Sequence, residues 1–211
     1  MTELTALFTS AFVTFLLVID PPGCAPIFAS LTREATAAQR RSMAIRAVLI
    51  GAAILVFFAS LGEQLLRALG VSLASFRISG GIMLFLIALD MVFERRTERR
   101  EKRAEELNEA QEVADVSVFP MAIPMIAGPG SIATVMLMTA RSEGPQASLV
   151  VFGALFATLA VTLLALLAAG PIMRVLGARI EAVITRILGV ILAALAAQFV
   201  VDGLAASFPS A

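Results

Sequence analysis

The 211-residue chain contains no histidine, no tryptophan and no tyrosine, and only one cysteine, Cys24. Each absence closes a class of chemistry. Without histidine there is no imidazole proton relay, no histidine metal site and no His-activated nucleophile. One cysteine forms neither an intramolecular disulfide nor a thiolate metal cluster. Without Trp and Tyr the usual aromatic belts at the bilayer faces are missing, which leaves that anchoring to Phe and Arg. Charged residues make up 15% of the chain and balance to zero, so nothing argues for nucleic acid as a partner. No nucleophile–base pair, metal-ligand cluster or nucleotide-binding loop stands out. The expectation is a protein that is not an enzyme and needs no cofactor or metal.

What is abundant is apolar side chain. The chain is 59% hydrophobic, with a mean hydropathy of +0.94. Soluble domains sit nearer 45–50%, so the composition is that of a membrane protein. The first residues, MTEL, carry no Lys or Arg ahead of the apolar run. A secretory signal begins with a basic stretch, so the first segment reads as a retained transmembrane helix.

A bilayer core takes about 20 apolar helical residues. Six stretches qualify, at roughly 4–31, 43–66, 71–93, 116–140, 146–172 and 183–206. Six spans put both termini on one side. The loops joining spans 1–2, 3–4 and 5–6 then hold thirteen basic residues: Arg33, Arg40, Arg41, Arg46, Arg95, Arg96, Arg99, Arg100, Lys102, Arg103, Arg174, Arg179 and Arg186. The opposite side holds three, Arg67, Arg77 and Arg141. The positive-inside rule makes those three loops cytoplasmic and both termini external. Residues 94–115 form the one long polar stretch, with Glu98–Lys102 and Lys102–Glu106 at helical i,i+4 spacing. Their mixed charge suits a solvated cytoplasmic linker better than an electrostatic membrane switch.

The two sides of that linker resemble each other. PPG at 21–23 matches GPG at 128–130, and QLLRALG at 64–70 matches PIMRVLG at 171–177, both 107 residues apart. RISGGIMLFLIA at 77–88 matches RILGVILAALAA at 186–197, 109 residues apart. One two-residue insertion reconciles the blocks. Residues 1–93 and 116–211 therefore read as two three-helix repeats. Three is odd, so the second repeat enters from the opposite face and the two are inverted in topology.

Both repeats interrupt their first helix. A continuous helix over 4–31 would be about 42 Å long, against a hydrocarbon core of about 30 Å. Asp20 lies deep in that stretch, where a carboxylate facing lipid costs about 2.5–3.5 kcal/mol. It is expected to face protein or water. Pro21 and Pro22 remove backbone donors and disfavour the α region just before them. The expectation is a half-helix ending at Asp20, a turn permitted by Gly23, and a second half-helix starting near Cys24. Span 4 repeats the pattern in PMAIPMIAGPGSIATVM, where Ala127, Gly128, Pro129, Gly130 and Ser131 fall near mid-span. Paired breaks in inverted repeats are the best sequence pointer to a transporter's site. Half-helix starts offer N–H groups to a carboxylate and half-helix ends offer carbonyls to an ammonium; an α-amino acid has both. The competing reading is a pair of simple kinks.

Other residues have plainer readings. Cys24 and its counterpart Ser131 are small enough to line a pocket or to allow close packing. Ser79, Gly80 and Gly81 in span 3, and Gly189 in span 6, read as close helix contacts that hold those helices beside the broken ones. Arg77 and Arg186 suit helix starts. Asp90, Asp202 and Gln198 suit interfacial or packed polar positions.

DPPGCAPIF, RISGGIMLF, PMAIPMIAGPGSI and RILGVILAALAAQFVVDG, in this order and spacing, resemble the MarC family of integral membrane proteins. The resemblance covers nearly the whole chain. It implies six helices in the bacterial inner membrane. Related members of the SnatA type handle small neutral amino acids, so it also implies transport of glycine and alanine, with protons as a candidate coupling ion. The substrate would be held by Asp20, Pro21, Pro22, Gly23, Cys24, Ala127, Gly128, Pro129, Gly130 and Ser131, with Asp20 carrying the proton. Two rival readings are an exporter of drug-like or other small metabolites and a non-transporting membrane scaffold. Oligomeric state is open.

Overall fold

The computed structural model describes residues 2–93, 115–140, 142 and 144–208, and these fold into eight helical segments. The charged linker expected over 94–115 lies outside the described residues except for Asp115. Helix α1 spans Thr2–Ile19 and α2 spans Pro21–Leu31, with Asp20 between them. Helices α3 (Ala37–Ala68) and α4 (Leu73–Val92) follow. Segment α5 (Ser117–Ile126) is an irregular helical stretch with extended backbone at Phe119 and Ile123, and α6 runs Pro129–Ala140. Helices α7 (Pro145–Leu167) and α8 (Ala169–Ser207) complete the chain.

Local chemistry sets most boundaries. Thr36 opens α3 with a capping box: its hydroxyl accepts from the Gln39 amide at 3.3 Å, and its own amide donates to Gln39 Oε1 at 2.8 Å. Gly70, at φ 69°, closes α3. Its amide returns to the Arg67 carbonyl and that of Val71 to Leu66, which satisfies the end carbonyls in a Schellman motif. Ser72 then caps α4 by accepting from the Ser75 amide at 3.0 Å.

Five apolar helices are long enough to cross a bilayer: Glu3–Leu31, Ala37–Ala68, Leu73–Val92, Pro145–Leu167 and Ala182–Ser207. A sixth span results if α5 and α6, bent by 52° at their junction, count as one. The expected loop between spans 5 and 6 is not a loop. The chain turns at Ala168, and α8 is helical from Ala169 onward, through 173–182. Pro171 falls in the first turn of α8, where a proline needs no donor. The Gly170–Pro171 pair, placed inside the fifth span at 146–172 by its hydropathy, thus lies in the first turn of the next helix.

The most extensive packing is between α4 and α8. They meet through a heptad of small residues. A Cβ on Gly203 would lie 3.0 Å from the Ala74 carbonyl oxygen, one on Gly81 2.8 Å from that of Ala196, and one on Gly189 3.1 Å from that of Ala88. Each layer pairs one alanine with one glycine, so the backbones approach until a carbonyl faces a bare Cα. Gly189 therefore packs on α4, not on a broken segment. Gly80 faces the other way, toward Leu137 and Ala133 of α6. Ser79 departs from expectation: it is exposed, and its hydroxyl donates to Phe76 of its own helix at 3.1 Å. The side chain next to a glycine pair points outward because a helix turns by about 100° per residue.

Inside, Phe15, Phe28, Leu55, Leu84, Met121, Ile126 and Leu155 are buried in one core. Outside, large apolar side chains such as Leu49, Phe57, Leu149, Phe156, Leu164 and Val190 are exposed, a surface suited to hydrocarbon.

Candidate functional site

The first interruption is a single residue. Asp20 adopts left-handed φ/ψ (59°, 65°) and is 1% exposed. Its amide still closes α1 onto the Leu16 carbonyl, and its carbonyl already accepts from the Cys24 amide, both at 3.0 Å. Helix α2 thus begins at Pro21, not near Cys24. The prolines occupy its first two positions, where fixed φ and a missing N–H fit the helix. They also withdraw the donors that would have met the Leu17 and Val18 carbonyls.

The next available donor, the Gly23 amide, goes to Asp20 Oδ1 at 3.1 Å. The Cys24 thiol, fully buried, donates to the Ile19 carbonyl at 3.4 Å. Asp20 is therefore the N-cap of α2. Gly23 is needed for a different reason than expected. It does not turn the chain; a Cβ there would collide with Asp20 Oδ2, and it would stand 2.9 Å from Asp20 Cγ. With Pro21 and Pro22 lacking N–H and Gly23 engaged, the start of α2 is occupied by its own carboxylate.

The second interruption spans more residues. Within α5, Phe119 and Ile123 have extended backbones, each preceding a proline, as sterics before proline favour. The Ala127 amide bonds to Ala122 at 2.9 Å and ends the segment. Gly128 has no room for a side chain: a Cβ would strike the Pro124 carbonyl oxygen. In α6 the Ile132 amide bonds to the Gly128 carbonyl at 2.9 Å. The amides of Gly130 and Ser131 precede it, at the helix end where intrahelical acceptors run out. Pro129 is exposed, whereas Gly128, Gly130 and Ser131 are buried. No carboxylate of this segment caps α6, so the two interruptions differ chemically: one self-capped, the other presenting amides.

The interruptions are neighbours. A Cβ on Gly130 would lie 3.4 Å from Val18, two residues before Asp20, and 2.5 Å from Ile87 of α4. Gly51 of α3 makes room for Ile126 at the end of α5, and Gly62 makes room for Met136 of α6. Glycines thus seat the second broken segment on α1, α3 and α4. Of the residues expected to pack beside the site, only Gly80 touches it.

Outside the spans, Asp115 pairs with Arg46 of α3 at 2.8 Å and accepts from the Ser117 amide at 3.1 Å. Its carboxyl is held below the usual carboxylate range. The Ser117 hydroxyl contributes most to this, burial opposes it, and the Ser117 amide and Arg46 add to it.

The model of the MarC family integral membrane proteins matches residues 5–208. The chain belongs to the MarC family. A UPF0056 membrane protein of Methanocaldococcus jannaschii is 35% identical over 197 residues, covering 93% of this chain and 95% of that one. The UPF0056 membrane protein YvbG of Bacillus subtilis is 35% identical, covering 94% of each. The UPF0056 inner membrane protein YhgN of Escherichia coli is 33% identical, covering 92% and 94%. No solved structure matches. This MarC protein is thus an integral membrane protein.

Two buried polar atoms among the described residues of the MarC chain have no partner, Arg77 Nε and Thr134 Oγ1. Thr134 was not singled out by sequence reasoning. The available signal was its place in GPGSIATVM, one turn beyond Gly130 on the same helix face.

Proposed function

We propose that this MarC protein is a secondary transporter of small neutral amino acids, glycine and alanine, working by alternating access. The observation that carries the proposal is the meeting of the two interrupted spans, with Gly130 at the start of α6 against Val18 at the end of α1. A zwitterion seated there has its carboxylate at the amide end of α6 and its ammonium at the carbonyl end of α1, the favourable sense for both helix dipoles. The residues at the two interruptions, Gly23, Cys24, Ala127, Gly128, Gly130 and Ser131, are all small, which favours glycine and alanine over drug-like compounds.

The inverted-repeat reading supports alternating access. The packing relations come in counterpart pairs: α1 on α7 with α5 on α3, α2 on α7 with α6 on α3, and α2 on α8 with α6 on α4. The α4–α8 contact lies between the repeats and would serve as their shared hinge face. Orientation with external termini and a cytoplasmic 94–115 linker follows from the basic-residue count.

Protons are the candidate coupling ion and Asp20 the candidate carrier. Protonating it would weaken its hold on the Gly23 amide and release the start of α2 as the site changes face. Counterflow of labelled alanine in proteoliposomes tests the function. Exchange chased by unlabelled glycine and alanine, and not by leucine or an amphipathic drug, is the expected result. Chase by the drug alone would replace the proposal with drug export.

A further inference from the structure

Thr134 is fully buried in the second turn of α6, and its hydroxyl has no partner. That is unusual within this chain. Thr9, Thr14, Thr32, Thr139, Thr158 and Thr162 each donate to the carbonyl four residues back, at 2.6 to 3.0 Å. The equivalent acceptor for Thr134 is the Gly130 carbonyl, and the hydroxyl does not take it. A buried hydroxyl left unpaired is costly, so the position calls for a ligand.

The neighbours fix the direction it faces. Leu137 and Ala133 meet Gly80 of α4, Met136 meets Gly62 of α3, and Gly130 meets Ile87 and Leu84 of α4 as well as Val18 of α1. At about 100° per residue Thr134 falls beside Gly130, on the flank turned away from α3 and toward α1. Helical Cβ atoms tilt toward the N-terminus, so its hydroxyl is carried back toward the turn bearing the Gly130 and Ser131 amides.

We propose that Thr134 is a substrate-binding residue whose hydroxyl donates to the carboxylate of a small amino acid seated at the start of α6. This rests on the transport reading above and adds to it a side-chain donor. It also gives the site a means of selecting solutes that carry a carboxylate.

Ligand-induced thermal shifts of the purified full chain test it, titrating glycine, acetate (carboxylate only) and methylamine (ammonium only). Thr134→Val should weaken glycine and acetate about tenfold, the loss of one hydrogen bond to a charged group, and leave methylamine unchanged. Thr134→Ser should keep glycine binding within about threefold. Without ligand, Thr134→Val should melt no lower than wild type. If Thr134→Val binds glycine as wild type does, transport stands and this inference falls. A lower melting point without ligand would place the hydroxyl's partner inside the fold and also overturn it. A loss confined to methylamine would reject the carboxylate assignment. If wild type binds neither glycine nor acetate, the transport reading fails and this inference fails with it.

Discussion

Asp20 does two things that separate on mutation: it caps α2 through Gly23, and it places a carboxylate in the interior. Asparagine keeps the cap, since its side-chain oxygen accepts equally well, and it tolerates the left-handed backbone. Asp20→Asn should therefore melt close to wild type in detergent. Asp20→Ala removes the cap and puts a poorer residue at positive φ, and should cost about 1–2 kcal/mol. Equal melting of both variants would mean that the Gly23 contact contributes nothing. Positions 20, 23, 128 and 130 stood out in the sequence as an Asp and three Gly beside prolines among apolar residues, yet their roles were not all legible. Whether Gly23 turns the chain or admits a carboxylate depends on the third dimension. Prolines read as breakers, but at the first positions of α2 they restart the helix at once. Thr134 looked like any helical threonine; only the missing bond to Gly130 distinguishes it.

The elements were legible where hydropathy and length decide, and less so where geometry does. The apolar runs predict six spans; the structure has five apolar helices long enough to cross, and a sixth span if the bent pair α5 and α6 is counted as one. Nothing in the periodicity predicts that α5 is interrupted by extended backbone at Phe119 and Ile123, or that α8 extends back to Ala169. The α4–α8 seam yields a sharp test. At Gly81 an added Cβ meets the Val200 side chain at 2.7 Å and backbone at 2.8 and 3.0 Å, so something must shift. Gly81→Ala should destabilise by about 1–3 kcal/mol, despite alanine's better helix propensity. Gly153, whose nearest neighbour is the edge of Phe8 at 4.0 Å, is the control. Gly153→Ala should be neutral or stabilising by up to about 1 kcal/mol. Matching behaviour at the two sites would contradict the close seam.

The Asp115–Arg46 pair tests how α3 is tied to α5. Its carboxyl titrates lower in the folded protein than its ordinary value of 3.8. It therefore contributes stability above that value and loses it as pH falls through the folded one. Both side chains are about half exposed, so the contribution should be below about 1 kcal/mol. The melting difference between wild type and Asp115→Asn should be small at pH 7 and shrink below about pH 4. A difference that grows on acidification would reject the pairing.

For the whole molecule, the offset repeats at 21–23 and 128–130 made two corresponding interruptions legible, and the family match extends over residues 5–208. The asymmetry between the interruptions was not legible. It arises because Asp20 occupies the start of α2, while Gly130 and Ser131 begin α6 without a carboxylate of their own. On the transport reading proposed above, the amide end of α6 would take the substrate's carboxylate, and the carboxylate of Asp20 would be left for the proton. The most direct measurement is uptake of labelled glycine and alanine into proteoliposomes holding wild type or Asp20→Asn, with and without an imposed pH gradient. Wild type should take up both, faster with the gradient, and Asp20→Asn should lose the gradient's effect. Absence of uptake by folded, correctly inserted wild type would contradict amino acid transport. An undiminished gradient response in Asp20→Asn would remove Asp20 as the proton carrier.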